Sequence, residues 1–266
     1  LTLIKVFSRF KSFNHVFKIK LLEKSQFLKK VQEKKISSSK VSWIKSIKEI
    51  KNRPSIFVAN EFFDALPIKQ FILKKNIWHE RFVKYINKEK LIFEDKKANL
   101  KNLNDLIDLG LTEKQKIIEF PIEAIKYLKS ISKIIKKYNG GMICFDYGYT
   151  KSKMINSLQS VKKHDYIKLF SDVGNSDISH HVNFDLFSKV ITKLDLEIGG
   201  IEQQGNFLKK MGIIHRANIL TKNVSFKVKA DIYYRLKRLL NSNEMGELFK
   251  VLFFKKKGVK FNLGFQ

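Results

Sequence analysis

Three polar side chains directly follow the apolar run 56–59 (IFVA), which is typical of a buried strand. Asn60 and Glu61 end the run, and Asp64 follows them within the segment NEFFDALP. Asp64 lies three residues after Glu61 and four after Asn60, so one helical turn would bring all three to one face. This spacing indicates a ligand site with paired acids. The ordinary alternative is that Asn60 caps a turn and both acids are solvated.

A second group of polar and aromatic residues follows the apolar run 142–145 (MICF). It consists of Asp146, Tyr147 and Tyr149, with a glycine between the two tyrosines. Open α/β sheets bind their ligands just outside the carboxyl ends of the strands. We therefore expect this group, like the NEFFDALP segment, to lie at the ligand-binding edge of a sheet.

The residues before the NEFFDALP segment alternate between strand and helix patterns. Strands are predicted at 16–23, 41–44 and 55–60. Ser25 is the predicted N-cap of a basic helix over 26–35, and residues 1–11 carry a helical stripe with no strand before it. Strand–helix–strand alternation predicts a parallel sheet and an α/β fold.

After Pro67 the pattern changes to an alternation of apolar and polar residues. It predicts antiparallel strands at 68–74, 77–86 and 91–93, joined by turns at 75–76 and 87–90. Residues 95–118 are polar and irregular, with one short helix. We interpret about 68–120 as an insertion within a single domain that spans residues 1–266.

The second half of the chain shows further helix and strand patterns. Helices are predicted at 122–137, 183–194, 207–213 and 225–241, strands at 142–145 and 196–203, and a turn followed by a strand within 245–254. Residues 158–164 and 172–184 are predicted loops, because they are rich in turn-forming residues.

The formal net charge of +28 would suit a nucleic-acid-binding protein. Only six of the 53 basic residues are arginine, however, and the lysines are spread over the whole length. Recognition of bases and phosphates favours arginine at bidentate contacts. We therefore predict no specific nucleic-acid partner.

Other classes are excluded by composition and spacing. Cys144 lies in an apolar run and is predicted to be a buried, reduced thiol. No run approaches eighteen apolar residues, so no membrane span is expected. The six histidines show no metal-ligand spacing, and the adjacent pair His180-His181 would point to different sides, so no metal site is predicted.

Four segments resemble, in the same order, a known family. They are NEFFDALP (60–67), FDYGY (145–149), DISHHVNFDLF (177–187) with QGNFLKKMGI (204–213), and MGELFKVL (245–252). The pattern resembles the MidA/DUF185 family of class I S-adenosylmethionine-dependent methyltransferases. The resemblance implies a class I (Rossmann-like) α/β sheet with an antiparallel and helical insertion, and S-adenosyl-L-methionine as the cofactor.

One part of the family pattern is absent from this sequence. Family members carry a first strand followed by a glycine-rich turn, at which backbone amides approach the cofactor. Here no glycine precedes Gly110, and the helix over 1–11 resembles the one that follows that turn. We expect the first strand and the glycine loop to be missing, as in an N-terminally truncated product, and cofactor binding to be weakened.

The resemblance also implies roles for the candidate residues. The implied cofactor-binding residues are Glu23, Trp43 and Asn60; the implied catalytic residues are Glu61, Asp64 and Asp146; the implied substrate-binding residues are Phe62, Tyr147 and Tyr149. Glu23 would accept hydrogen bonds from both ribose hydroxyls, and Trp43 would flank the adenine. The alternatives are a solvated Glu23, a core Trp43, acids that only cap helices, and ordinarily packed tyrosines.

The mitochondrial member of the family is a complex I assembly factor that methylates an arginine of a core subunit. The resemblance therefore implies a protein arginine methyltransferase whose acids hold the guanidinium and take up its proton. Alternatives are a non-catalytic assembly chaperone, favoured by the absent glycine loop, and a nucleic-acid methyltransferase, favoured only by charge. The lysine-rich composition and the absence of an arginine-rich presequence predict a bacterial cytoplasm, with the mitochondrial matrix as the alternative.

Overall fold

The computed structural model describes residues 2–51, 53–87, 90–163, 165–262 and 264–265, with only the backbone of residues 100–103. Within this range the chain forms two compact units, Leu1–Arg53 and Pro54–Gln266. The turn predicted over 87–90 lies partly outside the described residues. The prediction of a single domain over residues 1–266 stays a prediction.

Among the described residues, the smaller unit contains three short α-helices and two strands, besides a 3-10 helix at Ile47–Glu49. They are α1 (Thr2–Phe7), α2 (Lys11–Asn14), β1 (Ile19–Leu22), α3 (Gln26–Lys35) and β2 (Val41–Ile44). The two strands pair in parallel, as the alternation of patterns predicts. Ser25 caps α3, because its side chain accepts a hydrogen bond from the N–H of Leu28 at 3.2 Å.

The helix predicted over 1–11 is broken in the structure. The chain is extended at Phe10, between α1 and α2. This break lets the ring of Phe7 contact those of Phe13 and Phe17, with centroids 5.2 and 5.5 Å apart. Packing of three aromatic rings therefore replaces the continuous helix.

The larger unit is built on a mixed five-stranded sheet. Its strands are β3 (Ser55–Asn60), β8 (Gly140–Tyr149), β12 (Val182–Asn183), β13 (Glu197–Gln203) and β14 (Phe249–Lys255). β3 and β12 run parallel to β8, whereas β14 lies antiparallel between β8 and β13. Together with the surrounding helices this sheet gives the α/β architecture expected for a class I methyltransferase.

The helices of the larger unit pack mainly through apolar stripes. They are α4 (Leu100–Asp108), α5 (Ile122–Tyr138), α6 (Phe184–Lys193), α7 (Gln204–Lys210), α8 (Ile213–Leu220) and α9 (Phe226–Leu240). α5 buries residues at helical spacing, including Leu128, Ile131 and Ile135. Helix α8 was not predicted; Gly212, at φ 79°, separates it from α7, so the pattern of 207–213 appears in the structure as the end of one helix and the start of another.

Two smaller antiparallel sheets complete the larger unit. One contains β4 (Lys69–Lys74), β5 (Ile77–Asn87), β6 (Lys90–Lys97) and β7 (Ile117–Phe120); the other contains β9 (Gln159–Lys162), β10 (Asp165–Ile167) and β11 (Asp177–Ser179). The first confirms the predicted meander but gains β7 and, among the described strands, pairs with no strand of the main sheet. The second was predicted as loops, because its strands are too short for an alternating pattern to stand out.

Two further predictions concern single features. Cys144 is buried at the centre of β8, as predicted. In the described part of the chain no helix is long and apolar enough to cross a membrane.

Candidate active site

A short gap in the strand pairing along β8 marks the candidate site. β3 pairs with β8 up to the Asn60–Phe145 pair, and β12 pairs with it from Gly148 onward. Both lie on one edge of β8, because β14 occupies the other edge. The chain leaves β3 in this gap through the turn 61–66, so the NEFFDALP segment begins beside Asp146.

Asp146 anchors this turn to the sheet. Its Oδ2 accepts hydrogen bonds from the N–H groups of Phe62 (3.2 Å) and Phe63 (2.9 Å), and its Oδ1 accepts one from the N–H of Tyr147 (3.0 Å). The side chain is fully buried. Three donors to one carboxylate fix the turn against β8. The catalytic role implied for Asp146 stays a prediction, whereas its contacts describe an anchor.

Glu61 and Asn60 form the exposed start of the turn. Glu61 has a φ of 47°, a left-handed conformation that is uncommon outside glycine. Its N–H donates to the carbonyl oxygen of Phe145 at 3.0 Å, and Nδ2 of Asn60 donates to its Oε1 at 3.1 Å. Because Glu61 is left-handed, the predicted helical turn does not form, and Glu61 is exposed while Asp64 is buried. Backbone strain held in this way is common at functional sites.

Asp64 and Asp146 form a buried carboxyl pair. Asp64 is 8% exposed and Asp146 is fully buried, and each carboxyl group lies within the electrostatic reach of the other. Burial raises the pKa of Asp64, and repulsion from Glu61 adds to this. Burial, followed by repulsion from Asp64, raises the pKa of Asp146 to about 7. Two neighbouring buried carboxyl groups that repel each other share one proton, so the pair can take up or release a proton near neutral pH.

Two of the predicted substrate-binding aromatics lie close to the acids. Phe62 packs edge-to-face against Phe63 and Tyr127, with ring centroids 5.1 and 5.0 Å away. Tyr147 packs on the ring of Phe249 at 4.0 Å between centroids. Burial raises the pKa of the Tyr147 hydroxyl, and repulsion from Glu61 and Asp64 contributes, which places this hydroxyl within the electrostatic reach of the acids.

The third predicted aromatic, Tyr149, faces different groups. Its hydroxyl accepts hydrogen bonds from Nδ2 of Asn183 at 3.3 Å and from the N–H of Ile155 at 3.4 Å. Burial raises its pKa. These contacts connect β8 to the start of α6, so they tie two elements together as well as positioning the tyrosine.

In the smaller unit, the structure brings Glu23 and Trp43 together through a residue that sequence reasoning missed. Gln32 on α3 donates from Nε2 to Oε2 of Glu23 at 3.1 Å and accepts at Oε1 from the indole N–H of Trp43 at 2.7 Å. Oε1 of Glu23 accepts a second hydrogen bond, from the N–H of Ser25 at 2.8 Å. The lysine-rich pattern of α3 gave no signal for this role.

His180 is the second residue missed. It is 4% exposed, and its N–H donates to the carbonyl oxygen of Asp64 at 3.0 Å, which holds it beside the carboxyl pair. The sequence treats His180-His181 as possible metal ligands and as part of the family segment DISHHVNFDLF, and assigns His180 no role beside the acids. A histidine within a segment otherwise rich in small polar residues is the signal that was available.

Glu119 is the third. Its Oε1 accepts hydrogen bonds from Nε2 of Gln70 (2.8 Å) and from the N–H groups of Ser157 (3.0 Å) and Leu158 (3.2 Å), and its Oε2 accepts from the Ser157 hydroxyl. These bonds fasten the 157–158 segment to β7 of the four-stranded antiparallel sheet. An acid inside the apolar run IIEF, just before Pro121, predicts such buried partners.

Residues 2–201 match a family described as "putative S-adenosyl-L-methionine-dependent methyltransferase". The chain belongs to this family. The resemblance drawn from the NEFFDALP, FDYGY and related segments is thereby confirmed, and with it the family's cofactor, S-adenosyl-L-methionine.

Curated relatives in this family carry a more specific name. The chain is 29% identical over 212 residues to the mitochondrial protein arginine methyltransferase NDUFAF7 of Danio rerio, which covers 79% of this chain and 49% of the relative. It is 29% identical over 178 residues to the Caenorhabditis elegans homologue, a match that covers 66% of this chain and 42% of the relative. The chain therefore spans about half the length of the curated relatives it matches.

A solved structure supports the fold. A protein from Burkholderia thailandensis, solved bound to S-adenosyl-homocysteine, superposes with a TM-score of 0.77 at 18% identity, over 98% of this chain and 70% of the other. At this identity the match establishes the class I methyltransferase fold.

Proposed function

We propose that this chain transfers a methyl group from S-adenosyl-L-methionine to a guanidinium nitrogen of arginine in a protein, and that the acceptor is a subunit of respiratory complex I. The observation that carries the proposal is the carboxyl pair Asp64–Asp146 next to Glu61, where the chain leaves β3 beside β8. The relatives' name, protein arginine methyltransferase, supports the acceptor type. The complex I subunit rests on the family resemblance of the motif segments.

The acids suit a guanidinium acceptor for a physical reason. A guanidinium keeps its proton at any physiological pH and offers only donors, so a carboxylate must orient it and a base must receive a proton when a nitrogen is methylated. Asp64 holds the cation, and the carboxyl pair takes up the released proton at Asp64. Glu61, exposed at the start of the turn, adds a second negative charge at the rim.

The residues of the smaller unit fit a cofactor with a ribose. A carboxylate has about four lone-pair positions, and Glu23 uses one on each oxygen for Ser25 and Gln32. A position on each oxygen is left for a ribose hydroxyl. The Trp43 indole, held by Gln32, presents a flat apolar surface suited to a purine. When bound, S-adenosyl-L-methionine supplies a methyl group carried on a positively charged sulfur.

We further infer that the chain works in a reducing compartment, the bacterial cytoplasm, with the mitochondrial matrix as the alternative. The buried free thiol of Cys144 supports a reducing compartment. The relatives' names support the mitochondrial alternative. Immunoblotting of fractionated source cells distinguishes the two.

Binding of S-adenosyl-homocysteine tests the proposal directly. Ligand-observed NMR, which detects weak binding, is expected to show saturation transfer from the protein to the adenine and ribose protons. Glu23→Gln removes two charge-assisted hydrogen bonds to the ribose and should weaken binding about tenfold or more. Glu33→Gln is the matched control, because Glu33 lies on the same helix and is ion-paired with Lys29 at 3.6 Å.

ATP at the same concentration serves as a ligand control, because the lysine-rich surface attracts polyanions without specificity. Saturation transfer to S-adenosyl-homocysteine that depends on Glu23 but not on Glu33 supports the proposal. Absence of saturation transfer to S-adenosyl-homocysteine contradicts the proposal and favours the non-catalytic assembly chaperone. The same holds if the Glu23→Gln and Glu33→Gln variants both show no more saturation transfer to S-adenosyl-homocysteine than to ATP.

A further inference from the structure

The larger unit contains a cavity of about 300 Å³ directly below the NEFFDALP turn. Its walls come from the turn residues 64–68, from β4, β5 and β6, and from the end of β11 with His180. Ligand pockets range from about 300 to 1,000 Å³, so this cavity suits one long side chain better than a large ligand. Much of the wall is apolar, with Leu66, Val83 and Leu158 among the contributors.

Two residues of the cavity wall, Asp64 and His180, each carry a buried side-chain atom without a partner in the described part of the chain. Neither Oδ1 of Asp64 nor Nε2 of His180 has a hydrogen-bond partner among the described residues. Nδ1 of His180 lies 3.3 Å from the carbonyl oxygen of His181. A carbonyl oxygen only accepts, so in the neutral ring the proton is on Nδ1 and Nε2 presents a lone pair. With a neutral ring and an ionised Asp64, both unsatisfied atoms are acceptors.

Two unsatisfied acceptors on neighbouring side chains suit a ligand rich in donors. Buried polar atoms in native proteins are nearly always paired, so such exceptions point to a missing partner. The backbone bond from His180 N–H to the Asp64 carbonyl oxygen keeps the two side chains adjacent. A guanidinium carries five donors in a planar fork and no acceptor, so it can donate to both atoms at once.

The cation that already borders the cavity is neutralised. Arg81 donates to Asp95 from Nε at 2.9 Å and from Nη2 at 3.2 Å, and its guanidinium lies 4.8 Å from the ring centroid of Phe93. Asp64 with Asp146 supplies the uncompensated negative charge on the opposite wall, and Glu61 contributes at the rim. An entering cation therefore meets an attractive carboxylate and an arginine whose charge is already paired.

We propose that this cavity binds the arginine side chain of the acceptor peptide, with Oδ1 of Asp64 and Nε2 of His180 accepting hydrogen bonds from its guanidinium and the apolar wall contacting its methylenes. The inference rests on the proposed methyltransferase function and adds the acceptor pocket and a specificity-determining histidine. It also predicts selectivity. A lysine ammonium is a compact point charge that cannot span both acceptors as a planar fork does. A citrulline lacks the positive charge, and its carbonyl oxygen is an acceptor that would face the acceptors of the cavity.

The test compares two capped peptides that differ only in arginine or citrulline, titrated into the full chain. We expect the citrulline peptide to bind about tenfold or more weakly, because it loses charge-assisted hydrogen bonds. The Hε1 resonance of His180 should shift with the arginine peptide and not with the citrulline peptide. Neither comparison requires a variant, so both hold even where a variant fails to fold.

Variants sharpen the result. Asp64→Asn and His180→Ala should each weaken arginine-peptide binding about tenfold, whereas Asp195→Asn, the same charge change at an exposed residue paired with Lys257 at 2.5 Å, should leave it unchanged. Equal affinities for arginine and citrulline peptides, or an unshifted His180 resonance, would overturn the inference. S-adenosyl-homocysteine binding, measured in parallel, distinguishes failure of this inference from failure of the proposed function. Cofactor binding without arginine-peptide binding refutes only the acceptor cavity. Arginine-peptide binding without cofactor binding refutes only the proposed methyltransferase activity.

Discussion

Two acidic groups in the larger unit, the Asp64–Asp146 pair and the single residue Asp95, have opposite electrostatic environments. In the carboxyl pair, burial raises the pKa of Asp146 to about 7 and also raises the pKa of Asp64. On the neighbouring antiparallel sheet, hydrogen bonds from Arg81 lower the pKa of Asp95 to about 2, and Lys74 contributes a further bond. The residue type is the same, and the groups around it differ.

The difference separates acids that stabilise the fold from an acid that awaits a ligand. Asp95 has a bidentate guanidinium supplied by the chain itself, so its charge is satisfied in the folded protein. Asp146 is satisfied by backbone donors, but its partner Asp64 has an oxygen without a donor among the described residues. The arrangement around Asp95 shows the kind of cation that Asp64 lacks.

The largest effect is expected from Asp146→Ala. This change removes the acceptor of the N–H groups of Phe62, Phe63 and Tyr147, the second of them buried, and should lower the free energy of unfolding by about 3–5 kcal/mol. Urea denaturation followed by circular dichroism measures it. A loss below about 1 kcal/mol would show that Asp146 does not anchor the turn.

A smaller loss is expected from Asp95→Asn. Arg81, whose side chain is 19% exposed, keeps one acceptor in place of a bidentate carboxylate, so the free energy of unfolding should fall by about 1–2 kcal/mol after solvent screening. The same urea titration measures it. Destabilisation equal to that of Asp146→Ala would remove the distinction between the two groups.

The two groups should also respond oppositely to pH. Because the pKa of Asp146 rises from 3.8 to about 7 on folding, the folded state holds the extra proton, and this contribution to stability is full below 3.8 and lost as pH rises through 7. For Asp95 the contribution is full above 3.8 and lost as pH falls through about 2.

Urea midpoints of the wild type and Asp64→Asn, compared between pH 4 and pH 8, isolate the pair. Asp64→Asn removes the carboxyl with which Asp146 shares its proton. As pH rises from 4 to 8, the wild type should therefore lose more stability than the variant does. A difference independent of pH would contradict a shared proton.

The smallest effect is expected from Glu94→Gln on β6. Glu94 is ion-paired with Lys84 at 2.9 Å and Lys96 at 3.0 Å on the surface, where solvent and salt screen the interaction. The urea midpoint should not change measurably. A clear decrease would indicate that surface pairs on this sheet matter as much as the Arg81–Asp95 pair.

Elements with strong local signals were predictable from the sequence. β2 (Val41–Ile44), β3 (Ser55–Asn60) and α3 with its Ser25 cap agree with the predicted bounds. Each combines an apolar run or stripe with a clear end signal, and both signals act over a few residues.

The interior of the site was not predictable in the same way. The strand predicted at 142–145 continues to Tyr149, because the charge of Asp146 is met by N–H groups more than eighty residues earlier in the chain. The pairing of Asp64 with His180 depends on a similar long-range contact. Local patterns identified the acids as candidates, but only the fold shows which of them lacks a partner.

Methyl transfer itself is the most direct test of the account. The chain is incubated with S-adenosyl-L-methionine carrying a deuterated methyl group and with capped peptides that differ only in arginine or lysine, and the products are sequenced by mass spectrometry. The account predicts labelled methyl on the arginine guanidinium, abolished by Asp64→Asn and retained by Asp195→Asn. Label on the lysine peptide alone, or an undiminished rate in Asp64→Asn, would contradict it.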